Sequence, residues 1–105
     1  MKNLNNFEWK EEIENDPNAV ILDVRTDDEV AEGMIENAVH HDIHQPQEFM
    51  AALEKMDKSK KYYIYCRSGS RSQQACQIMN QMGFEHTHNL TEGFSKWDGS
   101  IFHKI

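Results

Sequence analysis

Cysteine occurs only twice in this chain of 105 residues, at Cys66 and Cys76, and proline only twice, at Pro17 and Pro46. So few cysteines, in a chain not otherwise marked for secretion, exclude a disulfide-built scaffold, and each is read as a free thiol. Long apolar runs are missing too. None exceeds five residues, as in Phe49 to Leu53, whereas a bilayer span needs about 20. No apolar signal segment follows Lys2, and the chain reads as cytoplasmic. Positive charge is the third shortage, with 11 Lys and Arg against 18 Asp and Glu and a net charge of −7. That balance excludes a nucleic-acid backbone or an anionic membrane as partner, and any bound anion must meet local positive charge.

The length is below the roughly 150 residues of a typical domain, so residues 1–105 are read as a single domain. A chain of this size buries roughly 65% of its unfolded surface, enough for a core that can function as a monomer. No repeat, low-complexity tract or Pro/Gly/Ser-rich linker interrupts it, and both prolines fall between segments. Val20 to Val24 and Tyr62 to Tyr65 read as buried strands. Ala38 to Asp42 and His86 to Leu90 are weaker strand candidates.

Helical patterns fill the gaps. Thr26-Asp27-Asp28-Glu29 has the capping-box arrangement, with Gly33 as a stop. Pro46 suits a first helical turn, and Phe49, Leu53 and Met56 then give one buried face over Gln47 to Asp57. Ala75, Ile78, Met79 and Met82 recur at helical spacing, and Gly83 follows as a left-handed terminator. A further helix is expected near Phe7 to Asn15. Apolar strands alternating with helices imply an α/β fold, a mainly parallel sheet with helices on both faces, whose ligands bind beyond the carboxyl ends of the strands. Asp23 to Arg25, Cys66 to Arg71 and Asn89 to Gly93 lie at three such ends.

Tyr65-Cys66-Arg67-Ser68-Gly69-Ser70-Arg71-Ser72 joins the clearest strand to the clearest helix. A loop of amides turning inward at a helix N-terminus forms an anion cradle. An ordinary cysteine with a pKa of about 8.5 is about 3% thiolate at pH 7, and a pKa near 6 would make it about 90% thiolate. The helix dipole supplies roughly one pK unit at most, so the flanking guanidiniums and loop amides must supply the rest. Gly69 lets the backbone close around the sulfur at positive φ. A cysteine after a buried strand is ordinarily inert packing, but a cysteine, a glycine and an arginine within six residues at such a junction point to a reactive Cys66. Cys76, beside an apolar helical stripe with no basic sequence neighbour, is read as buried packing.

Over nearly its whole length the chain resembles a single-domain rhodanese, the sulfurtransferase fold. Ile21-Leu22-Asp23-Val24-Arg25 with Glu29, Gly33, Ile35 and Ala38 is similar to the family's first signature. Tyr62 to Ser72 resembles its active-site strand and loop, and Gly83-Phe84 through Leu90, Gly93 and Trp97 its second signature. Met34-Ile35 stands where the family usually has His-Ile, and Glu92-Gly93 where it usually has paired glycines. The resemblance implies a rhodanese-like, five-stranded parallel sheet flanked by helices and Cys66 as the sulfur-carrying residue. Related phosphatases of this fold place five residues between cysteine and arginine. Here four, Arg67 to Ser70, intervene, a tighter ring that suits a persulfide better than a phosphoryl group.

The expected chemistry is attack of the Cys66 thiolate on the outer sulfur of a small anionic donor such as thiosulfate. A thiol, cyanide or protein acceptor then removes that sulfur. Arg67 and Arg71 would attract the donor, while the amides of Ser68, Gly69, Ser70, Arg71 and Ser72 would hold the persulfide. Asp23 is expected to orient Arg71, and Arg25 to pair with Glu29. No metal or organic cofactor is required, and neither His40-His41-Asp42-Ile43-His44 nor His86-Thr87-His88 has a completing ligand set. Phe94 and Trp97 are expected to anchor a last helix, with Phe7 and Trp9 covering the other end of the sheet. The competing reading is a catalytically idle module of the same fold that presents its acidic surface to a basic protein, with a phosphatase ranked below both.

Overall fold

The structure is a computed structural model that describes residues 1–103. Along the chain the elements are β1 (Lys2–Leu4), α1 (Asn6–Glu14), β2 (Val20–Asp23), α2 (Asp27–Ala31), β3 (Met34–Ile35), β4 (Val39–His40), α3 (Pro46–Glu54), β5 (Lys61–Tyr65), α4 (Ser70–Gln81), β6 (His86–Leu90), one 3-10 turn (Phe94–Lys96) and β7 (Ile101–Phe102).

Five strands form one sheet in the order β1-β6-β5-β2-β4, and every neighbouring pair is parallel. This is the expected α/β architecture. Central strand β5 shows why the sheet needs cover on both faces, because four of its five residues, Tyr62 to Tyr65, are buried. Side chains alternate across a strand. Tyr62 and Ile64 pack with Phe49 and Leu53 of α3 and with Ala75, Cys76 and Met79 of α4. Tyr63 and Tyr65 pack on the opposite face with Trp9 of α1, Leu90, Phe94 and Trp97.

The register pairs Asp23 with Tyr65 and with His40, and Ile64 with Asn89. Because all five strands run the same way, their carboxyl ends meet at one edge. The loops after β2, β5 and β6 therefore converge there, although more than 60 residues separate the first from the last.

Local chemistry sets the helix boundaries. Thr26 and Glu29 form the expected capping box on α2, and Gly83 takes a φ of +98° after α4. Helix α1 starts on a second capping box, Asn5 with Glu8, which places its first residue at Asn6 rather than Phe7. Helix α3 ends at Glu54, short of the expected Asp57, because Lys55 N–H and Met56 N–H bond three residues back and tighten the last turn.

Other differences follow from tertiary contacts. β1, β3 and β7 are too short to carry a periodic signal. β1 borrows its ladder from β6, while β3 pairs with β7 in a separate antiparallel ribbon. Strand β4 covers only two residues of the expected Ala38 to Asp42. Phe7 is 73% exposed and covers nothing. Trp9 does not cover an opposite end but packs with Phe94 and Trp97 in one cluster, edge-on to Tyr63, Tyr65 and Trp97, because α1 lies on the same face of the sheet as the segment after β6. The expected last helix is a single 3-10 turn.

Candidate active site

Strand β5 delivers Cys66 to the floor of a loop that runs directly into α4. Gly69 is the residue that caps the helix, with a φ of +95°. A Cβ at this position would overlap the carbonyl of Thr91, so both the dihedral and the close approach require glycine. The Gly69 N–H donates to Cys66 Sγ at 3.1 Å, and the Ser72 hydroxyl lies 3.4 Å from the same sulfur. Cys66 has no exposed surface, yet its sulfur faces hydrogen-bond donors. Burial alone pushes the thiol up. The Ser72 hydroxyl and the amides of Ser72, Ser68 and Gly69 outweigh that and hold Cys66 below the ordinary thiol range.

The loop after β6 forms the other wall. Phe94 N–H donates to the carbonyl of Cys66 at 2.8 Å, and Ser95 N–H to that of Arg67 at 3.1 Å. A planar peptide points its N–H opposite its carbonyl. Drawing the Arg67 carbonyl outward therefore turns the Ser68 N–H the other way, consistent with its action on the sulfur. Gly93 permits this approach, since a Cβ there would overlap the Arg67 carbonyl. Gly93 is the one glycine kept where the family usually has a pair, and this close approach requires it. Glu92, in place of the other, caps the start of α1 by accepting from Asn6 N–H at 2.8 Å.

The guanidiniums are arranged differently from expectation. Asp23 does not orient Arg71, and Arg25 does not form an ion pair with the Glu29 carboxylate. Arg25 folds back onto Asp23, with Nη2 2.7 Å from Oδ2, and also donates to the Gly33 carbonyl at 2.7 Å. The short i,i+2 spacing explains this, because Asp23 Oδ1 first accepts the Arg25 backbone N–H at 2.9 Å. Tyr65 donates its hydroxyl to Asp23 Oδ2 at 2.5 Å, and the Arg25 guanidinium lies 4.3 Å from the centre of the Phe94 ring. Asp23 and Arg25 thus form a buried brace beneath the loop.

Arg71 instead grips Glu29 with both terminal nitrogens, at 2.6 and 2.9 Å. The same carboxylate closes the α2 capping box by accepting from Thr26 N–H. Arg71 hydrogen bonding, helped by Thr26 and opposed by burial, lowers Glu29 to about 2. The leading stabilisers of the Cys66 thiolate are therefore hydrogen bonds rather than the two flanking guanidiniums. Arg67 stands exposed on the rim, with no ion-pair partner among the described residues.

A cavity of about 410 Å³ adjoins the loop, lined by Arg25, Glu29, Glu32, Arg67, Phe94 and Ser95. Another, of about 490 Å³, lies by β3 and β7 and has no cysteine or guanidinium in its wall. Cys76 is buried in the core and pushed up to about 12 by burial, so it stays a neutral thiol. His88 stacks on Tyr63, and His40 hydrogen-bonds the Arg25 carbonyl. Among the described residues no three His, Cys, Asp or Glu side chains converge as metal ligands, and no helix is long and apolar enough to cross a membrane.

Tyr65, which holds Asp23, and Asn89, whose side-chain oxygen accepts from the Ser72 hydroxyl, were not expected as site residues, although Asn89 lies at one of the three strand ends expected to meet. Tyr65 looks like any aromatic in a buried strand. Asn89 carried a readable signal, a polar amide inside a strand of buried residues at the right edge of the sheet.

Known proteins share this construction. A family model described as the rhodanese-like domain matches residues 6–100. A Bacillus subtilis (strain 168) protein named "Putative sulfurtransferase YtwF" is 41% identical over 99 residues, which cover 94% of this chain and 92% of that one. The "Thiosulfate sulfurtransferase GlpE" of Coxiella burnetii (strain RSA 331 / Henzerling II) is 38% identical over 78 residues, 74% of this chain and 70% of its own. The crystal structure of a rhodanese-like domain protein from Staphylococcus aureus superimposes with a TM-score of 0.86 at 29% identity, covering all of both chains. Since the family match runs from α1 through the cysteine loop to the segment just before β7, the protein belongs to the rhodanese-like domain family.

Proposed function

We propose that the protein is a sulfurtransferase that carries a sulfane sulfur on Cys66. The observation that supports this most directly is the set of donors aimed at one buried sulfur, Gly69 N–H at 3.1 Å and the Ser72 hydroxyl at 3.4 Å. A preorganised nest of this kind stabilises a thiolate and, one bond further out, a persulfide anion. The names of the relatives from B. subtilis and C. burnetii point the same way.

In the first step the Cys66 thiolate attacks the outer sulfur of thiosulfate or of a persulfide. The new Sγ–S bond forms as the donor's S–S bond breaks, and sulfite or a thiolate leaves with the bonding electron pair. In the second, a thiolate, cyanide or protein nucleophile attacks the terminal sulfur, and Sγ departs as the regenerated thiolate. Charge is conserved in both steps, and neither needs an external oxidant. Arg67 on the rim meets an anionic donor, while Arg71, held by Glu29, keeps the start of α4 in place. Ser68, Gly69, Ser70, Arg71 and Ser72 supply the amides of the cradle. All these groups come from one chain, so the reaction needs only a monomer. The free thiols suit a reducing compartment such as the cytoplasm.

The test is intact mass spectrometry after incubation with thiosulfate. Gain of one sulfur atom, discharged by cyanide and lost in Cys66→Ser, is the expected result. An unchanged mass with thiosulfate and with low-molecular-weight persulfides would overturn the reading in favour of a binding module.

A further inference from the structure

Ser72 has one hydroxyl proton and two acceptors competing for it. Its Oγ lies 2.5 Å from Asn89 Oδ1 and 3.4 Å from Cys66 Sγ. The surroundings settle which end of the Asn89 amide faces the serine. Asn89 Nδ2 lies 3.3 Å from the Gly69 carbonyl and 3.1 Å from Asn3 Oδ1. The Gly69 carbonyl can only accept, so the nitrogen must face it and the oxygen must face Ser72. Asn89 and Ser72 are both buried, which leaves little water to substitute for either acceptor.

A neutral thiol is a weak acceptor, so while Cys66 is protonated the Ser72 proton rests on the amide oxygen. An ionised sulfur is a much stronger one. We propose that Asn89 is a positioning residue of the sulfur site, one whose side-chain carbonyl competes with Cys66 for the Ser72 hydroxyl proton while its NH2 group pins the Gly69 carbonyl at the start of α4. This deepens the reading of Cys66 as the reacting sulfur and rests on it. Asn89 thereby sets how much of the Ser72 hydrogen bond the thiolate receives. The cradle can release that donor when sulfur loading moves the negative charge outward.

The ionisable groups on the elements around the sulfur include Arg67 on the loop, Arg71 and Cys76 on α4, Glu29 on α2, Asp23 at the end of β2 with Arg25 just after it, Tyr62 and Tyr65 on β5, His86 and His88 on β6, and His40 and His41 at the end of β4. Among the described residues the side chains of Ser72 and Asn89 hydrogen-bond to none of these. Changes at Asn89 therefore reach Cys66 through Ser72 or through the backbone, and the two routes are separable.

The measurement is the pH midpoint of Cys66 alkylation by iodoacetamide, read by mass spectrometry on the full chain. It needs no sulfur donor, so its outcome is independent of whether sulfur is transferred. Asn89→Leu frees the Ser72 proton for the sulfur, and the midpoint is expected to fall by about half a pH unit or more, a roughly threefold rise in rate on the acid limb. Asn89→Asp holds the proton more strongly and adds negative charge, so the midpoint rises. Ser72→Ala raises it as well and abolishes the shift caused by Asn89→Leu. A residue that merely supported the loop would move the midpoint the same way in both Asn89 variants. That result, no shift, or a Leu effect that survives Ser72→Ala would each overturn the proposal. If circular dichroism shows Asn89→Leu unfolded, Asn89→Val, which suits a strand, takes its place with the same expected and overturning results.

Discussion

Replacing Glu29 with glutamine separates two jobs that one carboxylate performs. Glutamine still accepts from Thr26 N–H, so the capping box survives, whereas the charge facing Arg71 is lost. The fall of Glu29 from an ordinary 4.5 to about 2 corresponds to about 3 kcal/mol of preference for the ionised form in the folded state. The side chain is 23% exposed, and solvent screening reduces the usable part to about 2 kcal/mol. A depressed carboxylate stabilises the fold above its unfolded pKa, and that contribution disappears as pH falls from about 4.5 through about 2. Urea unfolding between pH 2 and 7, followed by the fluorescence of Trp9 and Trp97, should show Glu29→Gln less stable than the parent at pH 7. The gap should close towards pH 2. A gap that stayed constant over this range, or none at pH 7, would refute the electrostatic assignment of the Arg71–Glu29 pair.

Three further outcomes are expected. Gly93→Ala forces a Cβ into the Arg67 carbonyl and should cost about 1–3 kcal/mol while lowering sulfur loading at least about tenfold by misaligning the cradle; loading unchanged by mass would show that the loop after β6 is not a wall of the site. Trp9→Ala removes a fully buried ring from the face shared with Tyr63, Tyr65 and Trp97 and should cost about 3–5 kcal/mol in urea unfolding; a loss below about 1 kcal/mol would contradict that packing. Iodoacetamide near neutral pH should label Cys66 and spare Cys76, whose thiol is pushed up to about 12, and Cys76→Ala should load sulfur like the parent. Labelling of both at equal rates in the folded chain would contradict the assignment.

Much of the site was legible before any fold was built. The helix of Ala75, Met79 and Gly83, the capping box at Thr26 and the glycine between Cys66 and Arg71 are local signals, each depending on residues within a few positions of one another. The pairing of charges was not legible. Asp23, Arg25, Glu29 and Arg71 offer several electrostatically plausible matches, and sequence spacing alone does not choose among them. The choice came from an Asx-type bond that turns Arg25 back on Asp23, and from the direction in which α2 aims Glu29 at the start of α4.

The source of thiolate stabilisation shows the same division. The sequence pointed to guanidiniums and loop amides together, and hydrogen bonds from Ser72, Ser68 and Gly69 lead; their share depends on amide direction, which is set by peptide planes that Phe94 and Ser95 hold across the loop.

The amino-acid sequence by itself therefore determined the alternation of strands and helices and the identity of the reactive loop, since hydrophobic period, caps and glycines act over short range. Only the tertiary structure decided which carboxylate holds which arginine, which backbone N–H groups face the sulfur, and that Asn89 meets Ser72. Those contacts join segments many residues apart. Their geometry is set by the parallel register of the sheet, which no local pattern encodes.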